Sequence, residues 1–386
     1  HRDLHSFPTR RSSDLATAVV PSIFWIIVLR AFQGLGAAMT MTTGIAIISA
    51  VFPPNERGKA IGITVSSVYL GLSLGPFAGG LLTGSFGWRS IFLINAPIGL
   101  AALILAALKI REEWTDAAGE RLDIEGSLLY AASLVCLMYG LSALPAPLGI
   151  GLLAGGGAGM ALFVRHELRT ASPVFEVRLF TRNRTFAYSS LAALINYAAT
   201  FAVGFLLSLY LQYIKGLSPE GAGTILICQP AVMALFSPAA GRLSDRIEPA
   251  VIASSGMGLA AAGLGALAFL APGTGIPYIV VSLVVLGMGF ALFSSPNMNA
   301  IMGSVDRRHY GIASGTVATM RLIGQMLSMT LATLAFSFFI GNAQIAPPVY
   351  PEFLKSVTLC FTVFSTLCAV GIYFSMARGT LHGRGR

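Results

Sequence analysis

Eleven times along the 386 residues the sequence passes through a window of about 20 residues that is almost wholly apolar and is closed at both ends by charged or turn-forming residues. An α-helix of about 20 residues is about 30 Å long, the thickness of the hydrocarbon layer of a bilayer. Inside that layer only helices and closed barrels satisfy their own backbone hydrogen bonds. The windows lie near residues 23–51, 60–84, 91–110, 127–144, 147–164, 187–213, 221–241, 250–271, 277–302, 311–340 and 353–376, after a stub at 16–21. With 55% hydrophobic residues, 11% charged residues and a mean hydropathy of +0.76, the chain has too little polar surface to clothe a soluble globule. The expected fold is therefore an all-α polytopic membrane protein with eleven spanning helices.

The formal charge is +9, but its basic residues are scattered among short loops instead of forming one stripe, so nucleic acid is not an expected partner. Their distribution sets an orientation. If the first complete helix ends in the cytoplasm, 17 Lys and Arg fall in inside loops and only Arg89, Lys215 and Lys355 in outside loops, which puts the C-terminus inside. The four cysteines, Cys136, Cys228, Cys360 and Cys368, sit in apolar runs without C-x-x-C spacing; they read as small apolar residues, and no metal site is expected. No nucleotide-binding loop or nucleophile–base pair is present, so an enzyme or an ATP-driven pump is not expected. At the N-terminus, HSFPTRRSSDL (His5–Leu15) matches no signal or transit peptide and resembles the translation of a sequencing adapter. Residues 1–15 are expected to be an artefact, with the natural protein beginning well upstream.

Several segments carry more than apolarity. In Ser66–Gly84 the glycines Gly71, Gly75 and Gly79 recur every four residues, Pro76 stands at the centre and Gly80 follows. Glycines four apart share one helical face and leave a groove where a second helix can pack backbone to backbone, and an interior proline predicts a kink. Arg30 and Gln33 lie one turn apart on the first complete helix, and Arg321 is a second intramembrane cation. A permanent charge costs about 2.5–3.5 kcal/mol at a helix centre on insertion scales, so each arginine needs a protein interior or the headgroup boundary. Trp88 suits a membrane interface and Pro97 predicts a second kink. The basic segment 165–186 is amphipathic and suits the membrane surface. In Gly241-Arg242-Leu243-Ser244-Asp245-Arg246, Asp245 at a helix end can accept from backbone donors, pair with arginines and so latch two helices in one conformational state. No Asp or Glu lies mid-span; Asn95, Asn196, Gln229 and Asn297 are uncharged candidates for lining a substrate cavity, and Gln212, Asn299 and Gln325 are further polar groups that can equally glue helices together.

At an offset of 253 residues, Gly34, Gly36, Ala38, Gly58, Ala60, Gly62 and Gly71 meet Gly287, Gly289, Ala291, Gly311, Ala313, Gly315 and Gly324. Helices one and nine, and two and ten, are thereby equivalent. Secondary transporters are built from such repeated bundles of six helices, so a spacing of eight leaves two inserted helices between the bundles, most simply those at 127–144 and 147–164.

Four motifs, in this order, resemble those of the major facilitator superfamily: R-x-x-Q-G-x-G-x-A from Arg30, G-x-x-x-G-P-x-x-G-G from Gly71, WRSIFLINAPIG from Trp88 and G-R-L-S-D-R from Gly241. The second resembles the antiporter motif of proton-coupled exporters, and the third resembles the fourteen-helix drug:proton antiporter branch, as does PVFEVRLF before the second bundle. The resemblance implies a fourteen-helix fold with three N-terminal helices absent from this sequence. On it, residues 16–110 are the remainder of the first bundle, 111–186 the linker with two inserted helices, 187–376 the second bundle and 377–386 a cytoplasmic tail. It further implies export of hydrophobic or cationic small molecules across a bacterial cytoplasmic membrane, driven by a proton gradient in place of a cofactor, with Arg30 in proton transfer. Small-molecule substrate, protons and the lipid bilayer are the implied partners, and there is room for a periplasmic adaptor protein. A superfamily symporter for another solute, and a non-transporting receptor or scaffold, are the alternatives.

Overall fold

The computed structural model describes residues 23–87, 89–109, 123–170, 173, 175–341 and 343–379. The adapter-like residues 1–15, the stub at 16–21, Trp88, the segment 110–122 and the tail beyond 379 lie outside them. Helices account for nearly all of the described chain, as backbone self-satisfaction in hydrocarbon requires. In order they are α1 (Ile23–Val51), α2 (Pro54–Phe86), α3 (Ser90–Lys109), α4 (Ile124–Ser142), α5 (Pro147–Glu167), α6 (Val177–Arg182), α7 (Arg184–Thr200), α8 (Val203–Leu209), α9 (Pro219–Leu226), α10 (Cys228–Ser244), α11 (Pro249–Leu267), α12 (Ile276–Gly303), α13 (Tyr310–Phe339) and α14 (Tyr350–Ala377).

Ten spans among the described residues are long and apolar enough to cross a membrane, one fewer than expected; the one left out is α2. Its 33 residues are ample in length. It runs as helix without interruption through Pro76.

Two expected single spans are each broken into two helices. The amide of Ala202 donates to Ser328 Oγ at 3.0 Å instead of continuing the ladder, so α7 ends and α8 starts there, followed by a π-helical turn at Tyr210–Ile214. The second break, at Ile227, lies one turn before Pro230, whose missing N–H removes the bond to the carbonyl of Leu226.

Helices α7 to α14 form one packed bundle. Its core joins Val203, Leu206, Leu207 and Tyr210 to Leu264, Leu286, Phe361 and Phe364, all fully buried or nearly so. Arg378, at the end of α14, is 1% exposed; Nη1 donates to Asn297 Oδ1 at 2.7 Å and to Ser189 Oγ at 3.2 Å, tying α14 to α12 and α7. Desolvation pulls its pKa down to about 10, so it stays charged at neutral pH and its hydrogen bonds are charge-assisted.

Helices α4 and α5 form a hairpin whose backbones meet at glycines: a Cβ on Gly156 would lie 2.9 Å from the amide of Leu137, and one on Gly140 2.9 Å from that of Leu153. Asp123, the N-cap of α4, accepts from Gly126 N–H at 2.9 Å and pairs with His166 Nε2 at 2.9 Å, closing the hairpin's open end. Tyr130 Oη donates to Thr319 Oγ1 on α13 at 2.8 Å. A run of aromatic contacts passes from Tyr130 and Phe163 through Phe175 and Phe180 to Phe186 on α7, so the amphipathic α6 lays Leu179 and Phe180 on the bundle and leaves Arg178 exposed.

Gly156→Leu is expected to force α4 and α5 apart, at a cost of about 1–3 kcal/mol from overpacking. Thermal unfolding in detergent should show a lower Tm for this variant and an unchanged one for Gly151→Leu, whose position faces no described atom within 4 Å.

Candidate functional site

Where α2 meets α10, glycines on both sides let the backbones touch. A Cβ on Gly58 would stand 2.5 Å from the carbonyl of Gly241, and one on Gly62 2.6 Å from that of Ser237. Asp245, just beyond the end of α10, uses this proximity: Oδ1 accepts from the backbone N–H of Gly58 at 2.7 Å and Oδ2 from that of Lys59 at 2.9 Å. The two amides belong to the fifth and sixth residues of α2, so the carboxylate sits towards the positive end of that helix's dipole. Asn299 of α12 supports the loop from behind, donating to Ser244 Oγ at 3.0 Å. Of the motif's other members, Gly241 is buried in the contact while Arg242 and Arg246 are exposed.

Farther along α2 the contact thins. Ser66 Oγ donates to the carbonyl of Ala234, and Tyr69 packs with Met233, Ala234 and Phe290, its hydroxyl 3.5 Å from Ser294 Oγ. Beyond Tyr69, a Cβ on Gly71 or Gly75 would meet no described atom within 4 Å. The expected backbone-to-backbone approach is thus made three to five turns nearer the start of α2 than the glycine repeat suggested. The break at Ile227 explains the shift, because α9, which would continue the line of α10 past Gly71, leans on α8 and α12 instead. Pro76 and Gly80 lie within α2, but their side chains fall outside the described residues.

A second contact joins α1 to α13 at the same end of the molecule. Ile45, Ala46 and Ala50 pack on a buried cluster of Phe186, Ile301, Met302, Tyr310, Ala313 and Val317. Arg307 Nη2 donates to the carbonyl of Ala50, and Arg57 Nη2 donates to Tyr310 Oη at 2.9 Å. Arg321 Nη2 lies 3.8 Å from Met41 Sδ, and Thr42 approaches the Gly315 position at 3.8 Å. Arg30 sits at the other end of α1, exposed, with Cζ 5.1 Å from the ring centroid of Phe92 on α3; Gln33 is buried one turn on. The two arginines and Gln33 are therefore not gathered at one point: Arg30 and Gln33 share the first half of α1, whereas Arg321 faces its second half.

The uncharged candidates divide by partner. Asn297 has both ends of its amide engaged, Nδ2 donating to the carbonyl of Ser189 at 3.0 Å and Oδ1 accepting from Arg378, so it joins three helices and does not line a cavity. Asn196 is fully buried with neither amide atom hydrogen-bonded. Gln229 is half-buried and Asn95 exposed. Arg57, Tyr310 and Arg378 were missed by sequence reasoning, which took both arginines as ordinary inside-loop charges. One signal was available, since Arg57 and Tyr310 are 253 residues apart, the offset of the internal repeat.

A family model described as Major Facilitator Superfamily matches residues 15–329. A riboflavin transporter of Clostridioides difficile, RibZ, is 31% identical over 382 residues, covering 96% of this chain and 79% of the relative. A multidrug resistance protein B homolog of Mycobacterium tuberculosis is 31% identical over 343 residues, covering 86% of this chain; the chain spans 63% of that relative's length. Among solved structures, the human organic anion transporter MFSD10 superposes with a TM-score of 0.69 at 16% identity, over 97% of this chain and 76% of the other. That likeness carries the fold alone.

Asp245→Asn removes the charge from two amide hydrogen bonds, each worth about 1.5–3 kcal/mol when charge-assisted. Cysteines placed at Lys59 and Arg246 should then cross-link severalfold more slowly than in the otherwise unchanged protein; an equal rate would mean that the glycine contact holds this end without Asp245.

Proposed function

The chain belongs to the Major Facilitator Superfamily, and on that premise we propose that it is a proton-coupled exporter of hydrophobic or cationic small molecules in a bacterial cytoplasmic membrane, with its C-terminus inside. The observation that carries the reading is the asymmetry of the contact between the two helix groups. At the arginine-rich end, α1 and α2 are pressed onto α10, α12 and α13, while farther along α2 a Cβ on Gly71 or Gly75 would meet no described atom within 4 Å. One group closed against another at one end and parted at the other is the geometry that alternating access requires of each of its two states. Reversal needs a surface able to close at the parted end. Gly71 and Gly75 supply it, because a face without side chains lets another helix approach to backbone distance.

The remaining residues fit roles in coupling. Arg30 is held over Phe92, a contact that a cation makes with a ring quadrupole at low desolvation cost. A fixed positive charge there disfavours a second positive charge nearby, so protonation of a neighbouring group and occupancy by a cationic substrate oppose each other, which is what exchange of one for the other needs. Relatives named for multidrug resistance support a substrate class of apolar or cationic compounds. The relative named as a riboflavin transporter supports a second reading, transport of a planar, nutrient-like solute, on the same alternating machinery.

In cells expressing the protein, Arg30→Ala is expected to cut efflux of a lipophilic cationic dye at least tenfold without lowering its amount in the membrane. Efflux at the unaltered rate would assign Arg30 to anchoring only. Dye movement absent in every form, with riboflavin moving, would favour the second reading.

A further inference from the structure

Arg57 is an expensive residue to place where it is. It is 7% exposed, its partner Tyr310 is 6% exposed, and the pair sits against the apolar cluster that joins α1 to α13. Among the described residues its side chain makes one hydrogen bond, Nη2 to Tyr310 Oη, and Cζ lies 5.3 Å from the centroid of the same ring. Its Nε is buried with no partner, and no carboxylate pairs with it there. A guanidinium has five N–H donors, and a cation–π contact repays about 0.5–2 kcal/mol, well short of what removing that charge from water costs. The charge is therefore held in the closed contact by the contact's other interactions and not by its own.

The position of the pair matters as much as its chemistry. Arg57 and Tyr310 are separated by the repeat offset of 253 residues, so they are the same position in the two halves, each near the start of its helix. Equivalent positions that touch each other lie beside the axis relating the halves. Rocking of one half on the other that opens the arginine-rich end separates them and admits water to the charge.

We infer that Arg57 is a positioning residue that sets how readily the arginine-rich end opens: its desolvated charge pushes that end towards opening, and the hydroxyl of Tyr310 holds it back. This rests on the alternating-access reading above. It has a consequence that a simple latch does not share, because the two partners act with opposite sign. Removing the tyrosine hydroxyl leaves a buried charge with no hydrogen bond and favours opening. Replacing the arginine by a neutral side chain of similar length removes the desolvation cost and favours the closed contact, as replacement of buried charges by apolar groups commonly does.

The test uses the full-length protein with its cysteines replaced and a single reporter, Ala46→Cys, which lies at the apolar cluster. Labelling by a membrane-impermeant maleimide is followed from each face of the membrane, beside dye efflux. Tyr310→Phe is expected to raise labelling from the cytoplasmic face severalfold, and Arg57→Met to lower it severalfold. If Arg57→Met fails to reach the membrane, Arg57→Gln takes its place with the same expected sign. Both variants shifting labelling the same way, or neither shifting it, overturns the inference; with efflux intact, the transport reading survives that result. Opposite shifts with no substrate moved would sustain the inference and sink the transport reading instead.

Discussion

The backbone-to-backbone contact of α2 with α10 is the constraint on which the rest of the arrangement depends. Gly58, Gly62 and Gly241 bring two helices so close that the carboxylate of Asp245 reaches amides near the start of the opposing helix. Side chains of any size at those positions would hold the helices apart and put the carboxylate out of reach. Once this contact is made, α1 and α2 are pinned to the larger bundle at one end only. Past Tyr69, the open positions at Gly71 and Gly75 give α2 a surface on which a different partner can pack.

Charge works with this close packing. Asp245, Arg57 and Arg307 all make their bonds across the line between the two groups, at the end where the loops are rich in arginine. Arg378 has a different role, since its bonds to Asn297 and Ser189 stay within one bundle and make α7, α12 and α14 move as a unit. The hairpin of α4 and α5 joins this arrangement through Tyr130 and its aromatic neighbours, which reach the cluster that includes Tyr310. A bundle that rocks as a body needs such internal ties, and a contact that must open needs bonds of modest net worth.

Much of this was legible in the sequence, and the reasons differ by element. Spans such as α1 and α12 are visible because a 20-residue apolar window has few other uses. The all-helical fold and the superfamily followed from such windows and from motifs such as G-R-L-S-D-R, whose Asp245 does accept from backbone donors. Breaks were legible only in part: Pro230 was in view, but Ser328 capturing the amide of Ala202 depends on a residue 126 positions away. The glycine repeat at Gly71 indicated a close-packing face, yet which glycines are in contact depends on where α9 leans, a tertiary outcome. Asn297 could not be distinguished from a cavity residue without knowing that Arg378 folds back against it. Arg57 was hidden among loop arginines, although the internal repeat already matched it with Tyr310.

The central claim is that the two groups of helices close at one end as they part at the other. Double electron–electron resonance on full-length protein in liposomes measures both ends at once, with spin labels at Lys59 and Arg308 for the arginine-rich end and at Gly84 and Gly273 for the opposite end. The account predicts that changing the proton gradient or adding substrate lengthens one distance while shortening the other. Two distances that rise and fall together, or that stay fixed while substrate is being transported, would contradict it.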